Sequence, residues 1–211
     1  MSVLILDSSV IFDLERGLLI PAAFKLDATY AVPDLLLDGE LGDDPLVAQM
    51  LGLGLKVIEL EPQEVERAQG LAKKYHPRLS QIDTWALVSA ARPTSNRLLT
   101  GDGSLREAAR SEKVACSGVL WVLEQIRASR VASAFDLHNG LMRIKQHTRT
   151  RLPAPLVDAM MRQLETGHEK GVRARPGRNL GEGQRIPARN LRREAHVRRS
   201  GRGRWARDFV A

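Results

Sequence analysis

Short apolar runs alternate with longer amphipathic segments along the first 128 residues of the chain. The clearest run, at residues 3–6, has four consecutive aliphatic positions, which predicts a strand buried on both faces, as in a parallel sheet covered by helices. Shorter runs predict further strands at residues 28–32, 54–60, 97–100 and 113–115. Between them, periodic apolar positions predict helices at residues 10–16, 33–41, 63–75, 81–91, 104–110 and 118–127. Alternating strands and helices predict an α/β fold with a mainly parallel sheet.

Two weaker helical patterns follow at residues 132–146 and 156–165, and the periodicity ends near Gly167. We therefore expect an α/β domain at residues 1–128, a helical extension packed on it at 129–166, and a basic tail at 167–211. The tail contains thirteen Lys and Arg against four Asp and Glu, so it accounts for the net charge of +7, while the rest of the chain is slightly acidic. Its composition predicts disorder. Two interpretations stay open: an extension without a binding role, or a tail whose arginines bind the phosphates of RNA or DNA.

Composition excludes two classes of protein. The single cysteine, Cys116, cannot form an internal disulfide and fits a reducing compartment, so we expect a cytoplasmic protein. No apolar run approaches the roughly 18 residues of a membrane-spanning helix, and the N-terminal run is too short for the core of a signal peptide. A membrane protein and a disulfide-stabilised secreted domain are therefore not expected.

Four acidic residues stand after predicted strands or early in predicted helices: Asp7, Glu40, Asp83 and Asp102. Because the carboxyl ends of parallel strands meet at one edge of a sheet, we expect Asp7 and Asp102 at the same edge. Carboxylate oxygens suit a hard divalent cation, whereas a structural zinc site would use Cys and His. Each acid also has a structural alternative, as a helix cap, a turn residue or a solvated surface side chain.

These acids belong to an ordered set of short motifs. The set contains VLILDSSV at residues 3–10, VPD at 32–34 leading to Glu40, SQID at 80–83, LLTGD at 98–102, LREAA at 105–109 and GVLWVL at 118–123. In this order the motifs resemble those of the PIN-domain nucleases, and within them the VapC-like toxins of toxin–antitoxin pairs. The resemblance covers about residues 1–128 and implies a three-layer α/β/α fold with a mainly parallel central sheet.

The resemblance also implies a chemistry, the hydrolysis of RNA phosphodiester bonds with the help of Mg²⁺ or Mn²⁺. It identifies the catalytic and metal-binding residues as Asp7, Glu40, Asp83 and Asp102, with Asp38 competing with Glu40 for the second position. The supporting residues are Ser9 and Thr100. The candidates for contacts with RNA are Arg16, Arg78, Arg97 and Arg106.

Partners follow from the same resemblance, which implies a homodimer and a cognate antitoxin that blocks the cleft. Two alternative functions stay open. A phosphohydrolase of the haloacid-dehalogenase type also begins with a strand-end Asp, but it usually needs a second Asp two residues later, where this chain has Ser9. The other alternative is a PIN-fold module that binds RNA without turnover.

Overall fold

In the part of the chain that the structure describes, five parallel strands form the central sheet. A computed structural model describes residues 3–42, 44–93, 96–148 and 152–173. Its strands are β1 (Val3–Leu6), β2 (Thr29–Pro33), β3 (Lys56–Ile58), β4 (Asn96–Leu99) and β5 (Cys116–Ser117). They are arranged in the order β3–β2–β1–β4–β5. Strand β1 lies at the centre, because Val3 is in register with Thr29 on one side and with Asn96 on the other.

Helices connect these strands and continue beyond the last one. They are α1 (Ser8–Arg16), α2 (Ile20–Ala23), α3 (Asp34–Leu36), α4 (Pro45–Gly52), α5 (Pro62–Tyr75), α6 (Gln81–Ala90), α7 (Gly103–Ser111), α8 (Val119–Ala128), α9 (Ala134–Gln146) and α10 (Ala154–Arg173). A π-helical turn (Leu37–Leu41) follows α3 directly.

Successive side chains of β1 belong to two separate hydrophobic cores. Leu4 and Leu6 pack in a core with α1, α2, α8 and α9, whereas Ile5 packs in a core with α5, α6 and α7. Ile5 and its neighbour on β4, Leu98, are fully buried, and burying each such side chain contributes roughly 1.5–3 kcal/mol. Helices thus cover both faces of the sheet, and the predicted α/β fold with a parallel central sheet is confirmed.

The segment after β2 differs from its prediction. The helix predicted at residues 33–41 begins only at Asp34, because Pro33 is still part of β2 and is in register with Ile58 of β3. Helix α3 is a single short turn that passes into the π-helical turn. Turns of this kind are rare in proteins and frequently occur at functional sites.

Two strands also differ from prediction. Strand β5 lies at residues 116–117 and not at 113–115, because α7 extends further and Lys113 adopts a left-handed backbone conformation (φ 59°) after it. The Val114 N–H there donates to the Ala109 carbonyl oxygen (2.8 Å) and closes the helix end. Strand β3 was predicted as a core strand, but it forms an edge of the sheet and Val57 is 45% exposed.

Helices α9 and α10 pack against each other, and α9 also contacts α1. Helix α10 continues to Arg173, past the point at residue 167 where the sequence predicted that regular structure ends. Residues 174–211, most of the predicted tail, lie outside the described residues, and the domain boundary at residue 128 stays a prediction. None of the helices in the described ranges is long and apolar enough to cross a membrane. The side chains that α9 and α10 add to the first core are those of Leu137, Leu141, Ile144, Val157 and Leu164.

Candidate active site

The order of the strands creates a crevice between β1 and β4. The chain passes from β1 outward to β2 and β3, and then returns to the other side of β1 with β4 and β5. In open parallel sheets, ligands bind at the carboxyl ends of the strands at such a switch point. Asp7 and Thr100 follow the two strands, and the Asp7 N–H donates to the Leu99 carbonyl oxygen (3.0 Å). The end of β1 is therefore joined to the end of β4 directly beside the Asp7 side chain.

The Asp7 carboxylate is buried and is held through one oxygen. Its Oδ2 accepts hydrogen bonds from the Ser9 hydroxyl (2.5 Å) and from the Thr100 hydroxyl (2.6 Å). The same two hydroxyl oxygens accept from backbone N–H groups of the following loop, Ser9 from Gly101 (2.8 Å) and Thr100 from Asp102 (3.0 Å). Oδ1 accepts no hydrogen bond from any residue that the structure describes. Asp7 is thus fixed in position with one oxygen free for a ligand.

The electrostatic surroundings of Asp7 disfavour its charged form. Burial raises the pKa of this carboxyl above its usual range, and the negative charges of Asp83 and Glu40 add to that increase. The hydrogen bonds from Ser9 and Thr100 act in the opposite direction, because they stabilise the carboxylate. A bound cation would offset both the burial and the repulsion between the acids.

Glu40 approaches Asp7 from the π-helical turn. Gly39 lies against α6, where a Cβ atom would be 2.8 Å from the terminal Ile82 Cδ1 atom and would require that side chain to shift. Glu40 and Asp38 are both exposed, but only the charge of Glu40 is among the main influences on the Asp7 pKa. This favours Glu40 over Asp38 as the second acid. Gly39 was not predicted as a site residue, since a glycine in a predicted helix indicated only a weaker helix.

Asp83 and Asp102 each occupy a helix-capping position. Asp83 forms a capping box with Ser80: its Oδ2 accepts from the Ser80 N–H (2.7 Å), and the Ser80 hydroxyl accepts from the Asp83 N–H (3.1 Å). Asp102 is the N-cap of α7, and its Oδ1 accepts from the Leu105 N–H (2.7 Å). In both carboxylates the second oxygen accepts no hydrogen bond from the described residues. Each of these two acids can therefore cap its helix and still offer its second oxygen to a cation.

The four acids are not equally close to one another. Asp83 and Glu40 act electrostatically on Asp7, whereas Asp102 is connected to it through its backbone N–H, which donates to the Thr100 hydroxyl. Within the described ranges, no three Asp, Glu, His or Cys side chains converge into a complete metal-binding cluster. Mg²⁺ usually keeps several water ligands and takes only one or two carboxylates together with substrate phosphate. The oxygen donors at this edge fit a hydrated cation of that kind.

A comparison with protein-family models gives a match over residues 3–166 to the family described as DUF3368, a PIN domain. The chain belongs to the PIN-domain family. PIN domains are generally nucleases, so the chain has a nuclease-like function, and nothing in the match supports the phosphohydrolase alternative. The match extends through α9 and into α10, beyond the motifs that suggested the family.

Two further similarities are weaker. The fold is similar to that of a PilT N-terminus domain protein from the hyperthermophilic archaeon Sulfolobus solfataricus P2, with a TM-score of 0.41 and 13% sequence identity, over 60% of this chain and 93% of the other. A segment of 67 residues is 39% identical to the 33 kDa chaperonin of Sodalis glossinidius (strain morsitans). This segment is 31% of the present chain and spans only 23% of the length of the chaperonin.

The four arginines predicted to contact RNA differ in their surroundings within this PIN domain. Arg16 forms an ion pair with Asp13 (3.0 Å), and Arg78 forms one with Glu107 (3.2 Å). The other two contact neutral groups near the candidate active site. Arg97 donates to the Ser117 hydroxyl (2.8 Å) and lies over the ring of Trp121, and Arg106 donates to the Thr100 carbonyl oxygen (3.2 Å).

Proposed function

We propose that this PIN domain is a divalent-metal-dependent endoribonuclease that hydrolyses RNA phosphodiester bonds. The observation that carries the proposal is the Asp7 carboxylate, which is buried at the switch point with one oxygen held by two hydroxyls and the other free. The charges of Asp83 and Glu40 act on the same group. PIN-domain nucleases generally use divalent metals such as Mg²⁺, which agrees with this set of donors.

In the proposed mechanism, Mg²⁺ or Mn²⁺ would be held by Asp7, Glu40, Asp83 and Asp102. When bound, the cation would activate water and stabilise negative charge on the phosphate oxygens. The protein contributes orientation: Ser9 and Thr100 keep the Asp7 carboxylate in place, and the helix caps keep Asp83 and Asp102 in place. A side chain held by its own hydrogen bonds loses little conformational entropy when it binds a cation.

The proposal is tested by replacing Asp7 with asparagine, which conserves size and removes the charge. We expect Asp7→Asn to reduce divalent-dependent cleavage of RNA about 100-fold or more, the usual cost of removing a group that stabilises charge in a transition state. The measurement is the cleavage rate of a labelled single-stranded RNA in Mg²⁺, in Mn²⁺ and in EDTA. A DNA of the same sequence tests the choice of nucleic acid.

The matched control is Asp158→Asn, which removes an exposed carboxylate on α10. It should cleave at the wild-type rate, and circular dichroism should show that both variants are folded. Wild-type protein that binds RNA but cuts it with neither metal would contradict the proposal in favour of the binding module without turnover. Equal cleavage by wild type and Asp7→Asn would contradict the role of Asp7.

The resemblance to VapC-like toxins extends the proposal to partners. We propose that the endoribonuclease is the toxin of a toxin–antitoxin pair, that it forms a homodimer, and that a cognate antitoxin blocks its cleft. Expression of the chain with and without candidate antitoxins tests this extension, since growth arrest should require Asp7 and be relieved by the correct partner. Growth arrest that persists in Asp7→Asn would argue against it.

A further inference from the structure

A small pocket lies between α7 and the edge strand β5. Its volume is about 220 Å³, and its lining consists of Arg106, Arg110, Val114 and Cys116. Sites for drug-sized ligands usually have volumes of roughly 300–1,000 Å³, so this pocket suits a smaller group. Its polar lining is cationic and contains no carboxylate.

The two arginines on α7 are one helical turn apart and face the same pocket. Residues separated by four positions lie on the same face of a helix, and Arg106 is further fixed because it donates to the Thr100 carbonyl oxygen (3.2 Å). Neither Arg106 nor Arg110 forms an ion pair with an acid among the residues that the structure describes. Arg78, in contrast, is neutralised by Glu107.

A third guanidinium, that of Arg97, contacts β5 through a side-chain hydrogen bond. Arg97 donates to the Ser117 hydroxyl (2.8 Å) and its guanidinium carbon is 4.9 Å from the centre of the Trp121 ring. Burial raises the pKa of the Cys116 thiol and the charge of Asp7 adds to that increase, while the charges of Arg106, Arg97 and Arg110 act to lower it. The thiol in the pocket is therefore under the influence of three cationic groups.

The pocket is linked to the candidate active site through one residue. The Thr100 carbonyl oxygen accepts from Arg106, and the Thr100 hydroxyl donates to Asp7. A guanidinium binds phosphate with two parallel hydrogen bonds, which fixes orientation as well as adding affinity. A phosphate in the pocket would therefore stand beside the Asp7 site and would position a nucleic-acid chain relative to it.

We propose that the pocket of Arg106, Arg110 and Cys116 binds a backbone phosphate of single-stranded RNA, adjacent to the phosphodiester that the Asp7 site cleaves. This inference rests on the proposed function for the identity of the ligand. Arg110 would hold the phosphate, and Arg106 would connect the pocket to Thr100. Phosphate contacts of this kind set the position of the nucleic acid without reading its sequence.

Cys116 provides a local measurement, since it is the only cysteine of the chain and it lines the pocket. The experiment uses the full-length chain carrying Asp7→Asn, in EDTA, so that RNA binds without being cut. The rate at which uncharged iodoacetamide alkylates Cys116 is measured by mass spectrometry, with and without a saturating RNA oligonucleotide. We expect the RNA to slow alkylation about 10-fold, because a charge-assisted contact with a backbone phosphate keeps the pocket occupied.

Two comparisons isolate the phosphate. Arg110→Gln should abolish the protection, while Arg143→Gln, which removes an exposed arginine on α9, should retain it. An oligonucleotide of the same sequence with a neutral methylphosphonate backbone should not protect Cys116. Each rate is compared with the unliganded rate of the same variant, because removing an arginine also changes the reactivity of the thiol.

Steady-state cleavage gives an independent result. In the background with an intact Asp7, Arg110→Gln should raise KM about 10-fold and change kcat by less than about twofold, since the contact is made equally in the ground state and the transition state. Arg110→Lys should give an intermediate KM, because lysine keeps the charge but not the paired hydrogen bonds.

The outcomes separate this inference from the proposed function. Either of two results would overturn the proposal for the pocket, even if RNA is cleaved. One is an alkylation rate that saturating RNA leaves unchanged. The other is equal protection of Cys116 in Arg110→Gln or by the oligonucleotide with the neutral backbone. Protection of Cys116 by RNA in a protein that never cleaves would support the pocket and would overturn only the nuclease proposal.

Discussion

At the scale of single residues, the candidate site depends on two hydroxyl groups. Ser9 and Thr100 both donate to the same oxygen of Asp7 and both accept from the loop that leads to Asp102. The sequence predicted a supporting role for both. It could not predict that they share one carboxylate oxygen, since Thr100 is 93 positions from Asp7 and that contact depends on the pairing of β1 with β4.

Removing the Ser9 hydroxyl should weaken metal binding most at low pH. The hydrogen bond from Ser9 lowers the pKa of Asp7, so Ser9→Ala raises that pKa and lets protons compete better with the cation. We expect the Mg²⁺ concentration for half-maximal cleavage to rise about 10–100-fold, the usual effect of losing a group that orients a metal ligand. The measurement is a Mg²⁺ titration of the cleavage rate at several pH values.

The control for this change is Ser111→Ala, at an exposed hydroxyl that donates only to the Glu107 carbonyl oxygen. It should titrate like wild type. A Ser9→Ala enzyme whose Mg²⁺ requirement is raised equally at every pH would show that the hydroxyl does not act through the protonation of Asp7.

At the scale of secondary-structure elements, the caps of α6 and α9 share one hydrogen bond. The Asp83 N–H donates to the Ser80 hydroxyl (3.1 Å), and the Asp136 N–H donates to the Ser133 hydroxyl (3.1 Å). They differ in the carboxylate, which accepts from the Ser80 N–H in α6 and from the Ser133 hydroxyl in α9. Only the first pair contains a candidate site residue. The chain thus contains an internal comparison between a cap with a proposed function and a cap that serves stability alone.

Replacing each capping serine should separate stability from activity. Ser80→Ala and Ser133→Ala should each lower the free energy of unfolding by about 1 kcal/mol, the usual cost of losing an N-cap. Only Ser80→Ala should also reduce cleavage, by about 10-fold, because the Asp83 N–H loses the hydroxyl that fixes the first turn of α6, which carries the Asp83 carboxylate. Urea unfolding and cleavage rates measure the two effects. Equal activity losses in the two variants would mean that activity follows overall stability.

The elements that could be predicted from sequence are those with strong local signals. Strand β1 has an uninterrupted apolar run, and helices α5, α6 and α8 have clear apolar periodicity or caps. Helices α2 and α4 were not predicted, because they are short and their stability comes from packing. The π-helical turn and the two-residue β5 likewise depend on tertiary contacts, namely those with α6 and with β4.

At the scale of the whole molecule, the buried charge of Asp7 couples stability to pH and to metal. Its pKa is raised in the folded state, so the metal-free protein loses stability as pH increases from about 4, the ordinary pKa of Asp, through the raised value. Below the ordinary pKa, Asp7 is protonated in both states and contributes no such loss.

We therefore expect Asp7→Asn to be more stable than wild type at pH 8 in EDTA, by on the order of 1 kcal/mol. The advantage should disappear near pH 4, because both proteins are then uncharged at this position. Adding Mg²⁺ at pH 8 should raise the Tm of wild type and not that of Asp7→Asn, since a cation that binds only the folded state stabilises it. Thermal unfolding at both pH values measures this, and a stability difference independent of pH would contradict the burial of the charge.

The central position of β1 also affects how the protein is made. When Asp7 has just left the ribosome, the nascent chain still lacks both β4 and Thr100, and Thr100 is synthesised 93 residues after Asp7. Pairing between strands so distant along the chain is slow to form, because the intervening loop must close first. The cleft is therefore completed only after most of the domain has been translated, and incomplete chains, which lack Thr100 and Asp102, cannot assemble it.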